Sequence, residues 1–312
     1  MSNAIRYFKA LSDETRLRLT YVLERYELSV NELVSILEMG QSRVSRHLKI
    51  LTEAGLLSSR RDGLWVFYSS VKEGEGAAFL KAAMPFLDED AEMRADVEMA
   101  ARIIEDRALK TRQFFNTIAE HWDTLSREVL GGFDLAGAVC DTMPEGCDTS
   151  VDLEFRRVLF RSVLERMRGR ARQIIGVDGS PRMLELSRRR LAGVEGEPEG
   201  VSLRIGELSH LPLRDCEADF ASINMVLHHL SNPENALAEI RRVLRSGGLL
   251  VVADFDRHTQ ERMRLDYGDL WLGFDEATMA RLLHAASFEV VSTTRYPVEQ
   301  GLALNLTLAR RL

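Results

Sequence analysis

The sequence predicts an α/β chain in two parts: a helix-turn-helix with a β-hairpin beside it, then a doubly wound, mostly parallel sheet that ends in an antiparallel hairpin. Three observations carry that prediction. Two capped amphipathic segments and a short turn open the chain, followed by strand-forming residues on both sides of Asp62-Gly63. From residue 150 onward, apolar runs of strand length alternate with helical patterns, the signature of parallel strands joined by crossover helices. The last two apolar runs, 288–293 and 302–308, have no helix between them and must pair as a hairpin.

A length of 312 residues favours two domains, and 45% apolar content is ample for two cores. The 41 Lys and Arg against 48 Asp and Glu give a net charge of −7, so the whole chain has no polybasic character. Residues 1–75 nevertheless hold 11 Lys and Arg against 10 Asp and Glu, a sign that suits a front end meeting nucleic acid. The three cysteines, Cys140, Cys147 and Cys216, form no C-x-x-C pair, so no metal is expected and a reduced compartment is. No apolar run approaches the roughly 18 residues of a membrane span, and the amino terminus has no basic-plus-apolar leader; a cytoplasmic protein is expected.

In the amino-terminal part, Ser12-Asp13-Glu14 opens a helix with Leu17, Leu19, Val22 and Leu23 largely on one side. Ser29-Val30-Asn31-Glu32 is a capping box opening a second helix, with Gly40 as its stop. The next helix, 41–51, turns Val44, Leu48 and Leu51 inward. It presents Gln41, Ser42, Arg43, Ser45, Arg46 and Lys49 outward, donors that suit base edges and phosphates in a major groove. Arg60 and Arg61 near the hairpin tip are placed to reach the phosphate backbone.

Residues 5–70 resemble the winged helix of arsenic-repressor (ArsR) type bacterial regulators, on Ala10-Leu11-Ser12-Asp13-Glu14-Thr15-Arg16, Ser42-Arg43-Val44-Ser45-Arg46-His47-Leu48 and Glu53-Ala54-Gly55-Leu56. The resemblance implies a homodimer on a two-fold, double-stranded operator. In that family a metal bound to cysteines near the second helix often releases DNA. The matching segment here, Glu27 to Leu33, has no cysteine, so another effector is needed.

Residues 76–111 follow as a charged helical connector in which Phe79, Leu80, Ala83, Met84 and Leu87, then Met93, Val97, Ala100, Ile103 and Ile104, recur at helical spacing. They suit either a dimer seam or a solvated spacer. Residues 114–123 form an aromatic-rich helix of the next domain, which spans 112–312. Its strands are expected at 150–153, 173–178, 201–205, 218–224 and 248–253, ahead of the carboxyl-terminal hairpin. Asp178 ends the second strand and turns through Gly179-Ser180-Pro181 into a helix, where a carboxylate can accept both hydroxyls of a ribose.

That layout, with Asp178, Gly206-Glu207-Leu208, Ala218-Asp219-Phe220, Asn224 to Leu230 and Arg245-Ser246-Gly247-Gly248, resembles the Rossmann-like sheet of class I S-adenosylmethionine-dependent methyltransferases over residues 112–310. The resemblance implies S-adenosylmethionine or S-adenosylhomocysteine as ligand. It puts Asp178 on the ribose, Met183 near the adenine, Glu207 and Leu208 at the adenine edge and Asn224 on the cofactor floor, and adds Asp152 and Gly179 to the binding set. The pair His228-His229 is given no catalytic or metal role, and no catalytic residue stands out.

One block departs from that family. After Val151-Asp152-Leu153 the family has a Gly-rich turn, whereas residues 154–162, Glu-Phe-Arg-Arg-Val-Leu-Phe-Arg-Ser, contain no glycine. Back-translated, they can be read from the end of a short-read sequencing adapter. The block is then an assembly artefact over a glycine turn, or else the domain is natural and has lost cofactor binding. Three functions follow: a repressor whose methyltransferase-like domain senses an S-adenosyl ligand, an active methyltransferase with an appended DNA-binding domain, or a DNA-binding protein with a dead domain.

Overall fold

A computed structural model describes residues 3–62, 64–118, 128–153, 163, 166–167, 169–192 and 200–312. The chain divides into two compact units, Met1–Leu109 and Lys110–Leu312.

The first unit runs α1 (Asn3–Leu11), α2 (Glu14–Leu23), β1 (Leu28–Ser29), α3 (Val30–Leu37), α4 (Gln41–Ala54), β2 (Leu57–Asp62) and β3 (Trp65–Ser70). Asp13 caps α2 by accepting from the Arg16 amide at 3.1 Å. Ser29 and Glu32 close the capping box on α3, the Ser29 amide donating to the Glu32 carboxylate at 2.8 Å. Gly40 is not the stop of α3, as the sequence suggested. The helix ends at Glu38 in the left-handed region (φ 53°), and Gly40 instead precedes α4 as its amino-terminal cap. Leu19, Leu33, Val44, Leu48 and Leu51 are all fully buried, so each helix turns its apolar stripe into one core. β2 and β3 pair antiparallel with Asp62 opposite Trp65, and β1 joins the other edge of β3. Gly63, at the expected turn, lies outside the described residues.

The connector is built into this unit. α5 (Gly74–Ala83), a short 3-10 turn (Met84–Leu87) and α6 (Ala91–Ile118) follow β3. Leu80, Met84, Met93 and Ala100 are buried in the same core as α2 to α4, so much of the stripe expected at a dimer seam is used within the chain. Arg18 of α2 holds Asp96 of α6 with two hydrogen bonds, 2.6 and 2.8 Å, and Arg107 of α6 pairs with Glu32. Of the aromatic helix expected at 114–123, α6 includes residues up to Ile118, and 119–123 lie outside the described residues.

The second unit is a seven-stranded sheet of β4 (Cys147–Leu153), β5 (Ala171–Asp178), β6 (Val201–Ile205), β7 (Ala218–Asn224), β8 (Leu244–Phe255), β9 (Phe288–Pro297) and β10 (Ala303–Arg311), in the order β6-β5-β4-β7-β8-β10-β9. The first five are parallel, and β10 pairs antiparallel with both β8 and β9. Helices α7 (Leu135–Asp141), α8 (Pro181–Ala192), α9 (Pro233–Val243), α10 (Arg262–Tyr267) and α11 (Glu276–Ala285) accompany it. Residues alternate between two cores along β5 and β8: Ile174 and Val251 enter one, Ile175, Val177 and Val252 the other. Strand order reverses at β4, which lies between β5 and β7. In open parallel sheets that reversal opens a crevice at the carboxyl ends of the strands, where ligands bind.

Candidate functional site

Two surfaces matter, one in each unit. On α4, Gln41, Ser42, Arg43, Ser45, Arg46 and Lys49 are all exposed, while Val44, His47 and Leu48 are buried. The helix therefore offers a continuous polar, cationic face of the kind that enters a major groove. The two wing arginines differ. Arg61 is exposed, but Arg60 is half-buried and occupied. Its guanidinium pairs with Glu27 at 2.8 Å and Asp62 at 3.1 Å and lies 4.7 Å from the Phe67 ring centroid. Through these contacts Arg60 ties the wing to the segment before β1, while Arg61 is the more exposed of the two.

In the second unit, β4 and β7 run side by side with Asp152 opposite Ser222. Asp152 Oδ1 accepts from Ser222 Oγ at 2.5 Å and from Asn224 Nδ2 at 3.1 Å. Burial of the carboxyl outweighs these donors and pushes its pKa up to about 7. Asn224 Oδ1 is buried with no hydrogen-bond partner among the described residues, an orphaned acceptor beside the strand reversal. One strand over, Asp178 ends β5 buried, accepting from the Ser180 amide at 2.6 Å. Ser180 in turn caps α8 by accepting from the Met183 amide at 3.2 Å, with Pro181 at the first helical position as expected. Asp152, Asp178 and Asn224 thus sit at the carboxyl ends of three adjacent strands.

The remaining expected contacts are placed less uniformly. Gly179 is half-buried between Asp178 and the helix cap, Met183 is buried on α8, and Leu208 packs in the core under the sheet, while Glu207 is exposed after β6. Gly206, which no binding role singled out, has a steric one: a Cβ there would meet Pro212 Cδ at 2.4 Å and Val177 Cγ1 at 3.1 Å. A cavity of about 780 Å³ lined by Met143, Pro144, Cys147, Arg170 and Arg172 opens at the amino ends of β4 and β5. It is at the wrong end of the strands to be the crevice described above.

The family model described as bacterial regulatory protein, arsR family, matches residues 13–59, and one described as methyltransferase domain matches residues 159–252. The chain joins an ArsR-family helix-turn-helix domain to a methyltransferase domain. The arsenic resistance transcriptional regulator ArsR1 of Pseudomonas putida is 52% identical over 62 residues, a match covering 20% of this chain and 48% of that protein. The chain thus spans about half the length of this relative. A demethylmenaquinone methyltransferase of Desulfitobacterium hafniense is 27% identical over 212 residues, covering 64% of this chain and 80% of that protein. The crystal structure of the [4+2]-cyclase SpnF matches with a TM-score of 0.54 over 64% of this chain and 94% of that one. At 16% identity this likeness concerns the fold alone.

The methyltransferase-domain match begins at residue 159, so β4 with Asp152 and the first residues of the glycine-free block precede it. The block itself, 154–162, lies outside the described residues. Sequence reasoning missed the donor that orients Asp152, Ser222, whose only local signal is its period-2 spacing to Asn224 on one face of β7. It also gave no role to His228 and His229, which the fold gathers with Asp254 and Asp269 in one buried cluster.

Proposed function

We propose that this protein is a homodimeric cytoplasmic DNA-binding regulator whose methyltransferase domain senses S-adenosylmethionine or S-adenosylhomocysteine. The observation that carries the reading is the alignment of Asp152, Asn224 and Asp178 along the strand reversal, in one chain with the exposed cationic face of α4. A ribose presents two hydroxyls to Asp178, and the orphaned Asn224 Oδ1 next to a buried carboxyl suits a donor or cationic group of the ligand. Both ligands supply an ammonium, and S-adenosylmethionine a sulfonium as well; the chain supplies acceptors, a capped helix and a core to hold them. Coupling follows only if the ligand binds one arrangement of the dimer better, and it must be reciprocal: operator DNA shifts ligand affinity by the factor by which ligand shifts operator affinity.

Calorimetric titration of both ligands, with and without operator, tests this. Weak binding is expected for the chain with residues 154–162 as they stand, and stronger binding when a glycine turn replaces them, since only glycine lets backbone amides approach a ligand closely. Asp178→Ala in that second protein should lose on the order of 1.5–3 kcal/mol for each charge-assisted hydrogen bond removed. Undiminished binding by the Asp178→Ala protein would show that the site lies elsewhere. An active methyltransferase is the second reading, favoured by the likeness to the Desulfitobacterium enzyme over most of that enzyme's length. Transfer of labelled methyl to any acceptor would decide for it.

A further inference from the structure

Beyond the crevice, the chain gathers two histidines and two carboxylates from three segments into one buried cluster. The turn after β7 carries His228 and His229 on a short 3-10 helix. Asp254 is the penultimate residue of β8, and Asp269 follows Gly268, the left-handed cap of α10 (φ 71°). All four side chains are 1–3% exposed. The loop holding Asp269 is pinned to the histidine turn, because the Leu270 and Trp271 amides both donate to the His228 carbonyl at 2.9 Å.

The hydrogen bonds fix which ring nitrogens carry protons. His229 Nδ1 lies 3.1 Å from the Gly268 carbonyl oxygen, which can only accept, so Nδ1 is the donor. His228 Nδ1 lies 2.5 Å from Asp254 Oδ1, a carboxylate that also accepts from the Phe255 amide at 2.7 Å, so Nδ1 donates there too. In the neutral rings both Nε2 atoms then carry lone pairs. One ring nitrogen of each histidine and a carboxylate oxygen of Asp269 lie within 4.8 Å of one another, the one such trio of His, Cys, Asp or Glu among the described residues. Buffering each Nδ1 with a carboxylate or carbonyl is how metal-binding histidines are oriented.

The spacing separates a metal from a hydrogen bond. Nε2 of His228 and of His229 lie 3.7 and 3.5 Å from Asp269 Oδ1, beyond good N–H···O distance. Ligands about 2.1 Å from a tetrahedral zinc are about 3.4 Å apart along each edge, whereas octahedral neighbours are about 3.0 Å apart. The observed separations fit the tetrahedral edge better. Charge agrees: a divalent cation with the carboxylates of Asp269 and Asp254 and two neutral imidazoles leaves the buried cluster with no net charge.

We propose that His228 Nε2, His229 Nε2 and the Asp269 carboxylate form a binding site for a divalent transition metal of the zinc class, with Asp254 and the Gly268 carbonyl orienting the two rings. The trio supplies three of four tetrahedral positions. The expectation of no metal rested on the lack of a cysteine pair and on giving His228-His229 no role; Asp254 and Asp269 join those histidines only in the fold. This site does not depend on which ligand fills the neighbouring crevice.

The test uses the full chain, stripped with chelator and titrated with cobalt(II) as spectroscopic probe, then with zinc. One equivalent of cobalt should give the intense visible bands of a tetrahedral ion, and one equivalent of zinc should remove them. Asp269→Asn and His229→Gln should each weaken cobalt binding at least tenfold, and Asp254→Asn by 10–100-fold, with the fold checked by circular dichroism. X-ray absorption of the zinc-loaded unmutated chain should count two imidazoles, a readout that stands even where a variant fails to fold. Weak octahedral bands only, bands undiminished in folded Asp269→Asn and His229→Gln proteins, or fewer than two imidazoles at the zinc would overturn the proposal.

Discussion

Replacing Asp152 with Asn should flatten the pH dependence of stability in the methyltransferase unit. The carboxyl is buried between β4 and β7, and its pKa is raised from 3.8 to about 7. A group held at a higher pKa in the folded state binds more protons folded than unfolded between those two values. Its contribution is therefore fully present below about pH 4 and is lost as pH rises through 7. At about 1.4 kcal/mol per pH unit the whole effect is about 4 kcal/mol, of which about 2–3 kcal/mol falls between pH 5 and pH 8. In Asp152→Asn the amide keeps an oxygen for Ser222 and Asn224 but has no proton to lose in this range, so the slope vanishes whatever fixed offset the amide introduces. Urea unfolding at the two pH values measures it, with amide exchange on β4 and β7 read separately from the amino-terminal unit. Equal slopes in the two proteins would refute the claim that burial keeps this carboxyl protonated near neutrality.

Three further outcomes follow from the same geometry. Arg43→Ala and Arg46→Ala should each weaken operator binding by about 1–3 kcal/mol more than they weaken random DNA, whereas Arg61→Ala should weaken both alike and reduce the salt slope by about one; filter binding across a salt series separates them. Arg60→Ala should leave the salt slope unchanged and instead destabilise the amino-terminal unit by about 1–2 kcal/mol, from lost pairing with Glu27 and Asp62 and lost stacking on Phe67, seen as a lower melting temperature. Gly206→Ala drives a methyl group into Pro212 and Val177 and should cost about 1–3 kcal/mol of stability, while Gly179→Ala, whose Cβ meets among the described residues only the Gly206 carbonyl at 3.5 Å, should be tolerated; thermal melts compare the two.

Much of the architecture was already legible in the chain because its signals are local. The Ser29-Glu32 capping box joins residues three apart, and the apolar stripe of α4 repeats every three or four. The strands that carry Asp152, Asp178 and Asn224 announced themselves as short apolar runs, and the order of runs and helices implied the parallel sheet. Element ends were less legible. β8, β9 and β10 all run beyond the spans expected for them, since pairing with neighbours, not composition, decides where a strand stops.

What only tertiary structure decided was which side chains meet. Arg60 finds Glu27 across 33 residues, Asp152 finds Ser222 across 70, and His228 finds Asp254 across 26. None of these pairings has a sequence signature, because each depends on strand register and on how loops return to the sheet. The same long-range closure buried the connector's Leu80, Met84, Met93 and Ala100 in the amino-terminal core, where helical periodicity alone could specify that an apolar face would be covered but not by what. Periodicity and capping are set by backbone hydrogen bonds a few residues long. The protonation of Asp152 and the gathering of His228, His229 and Asp269 are set by burial and by distances that exist only once the sheet has assembled.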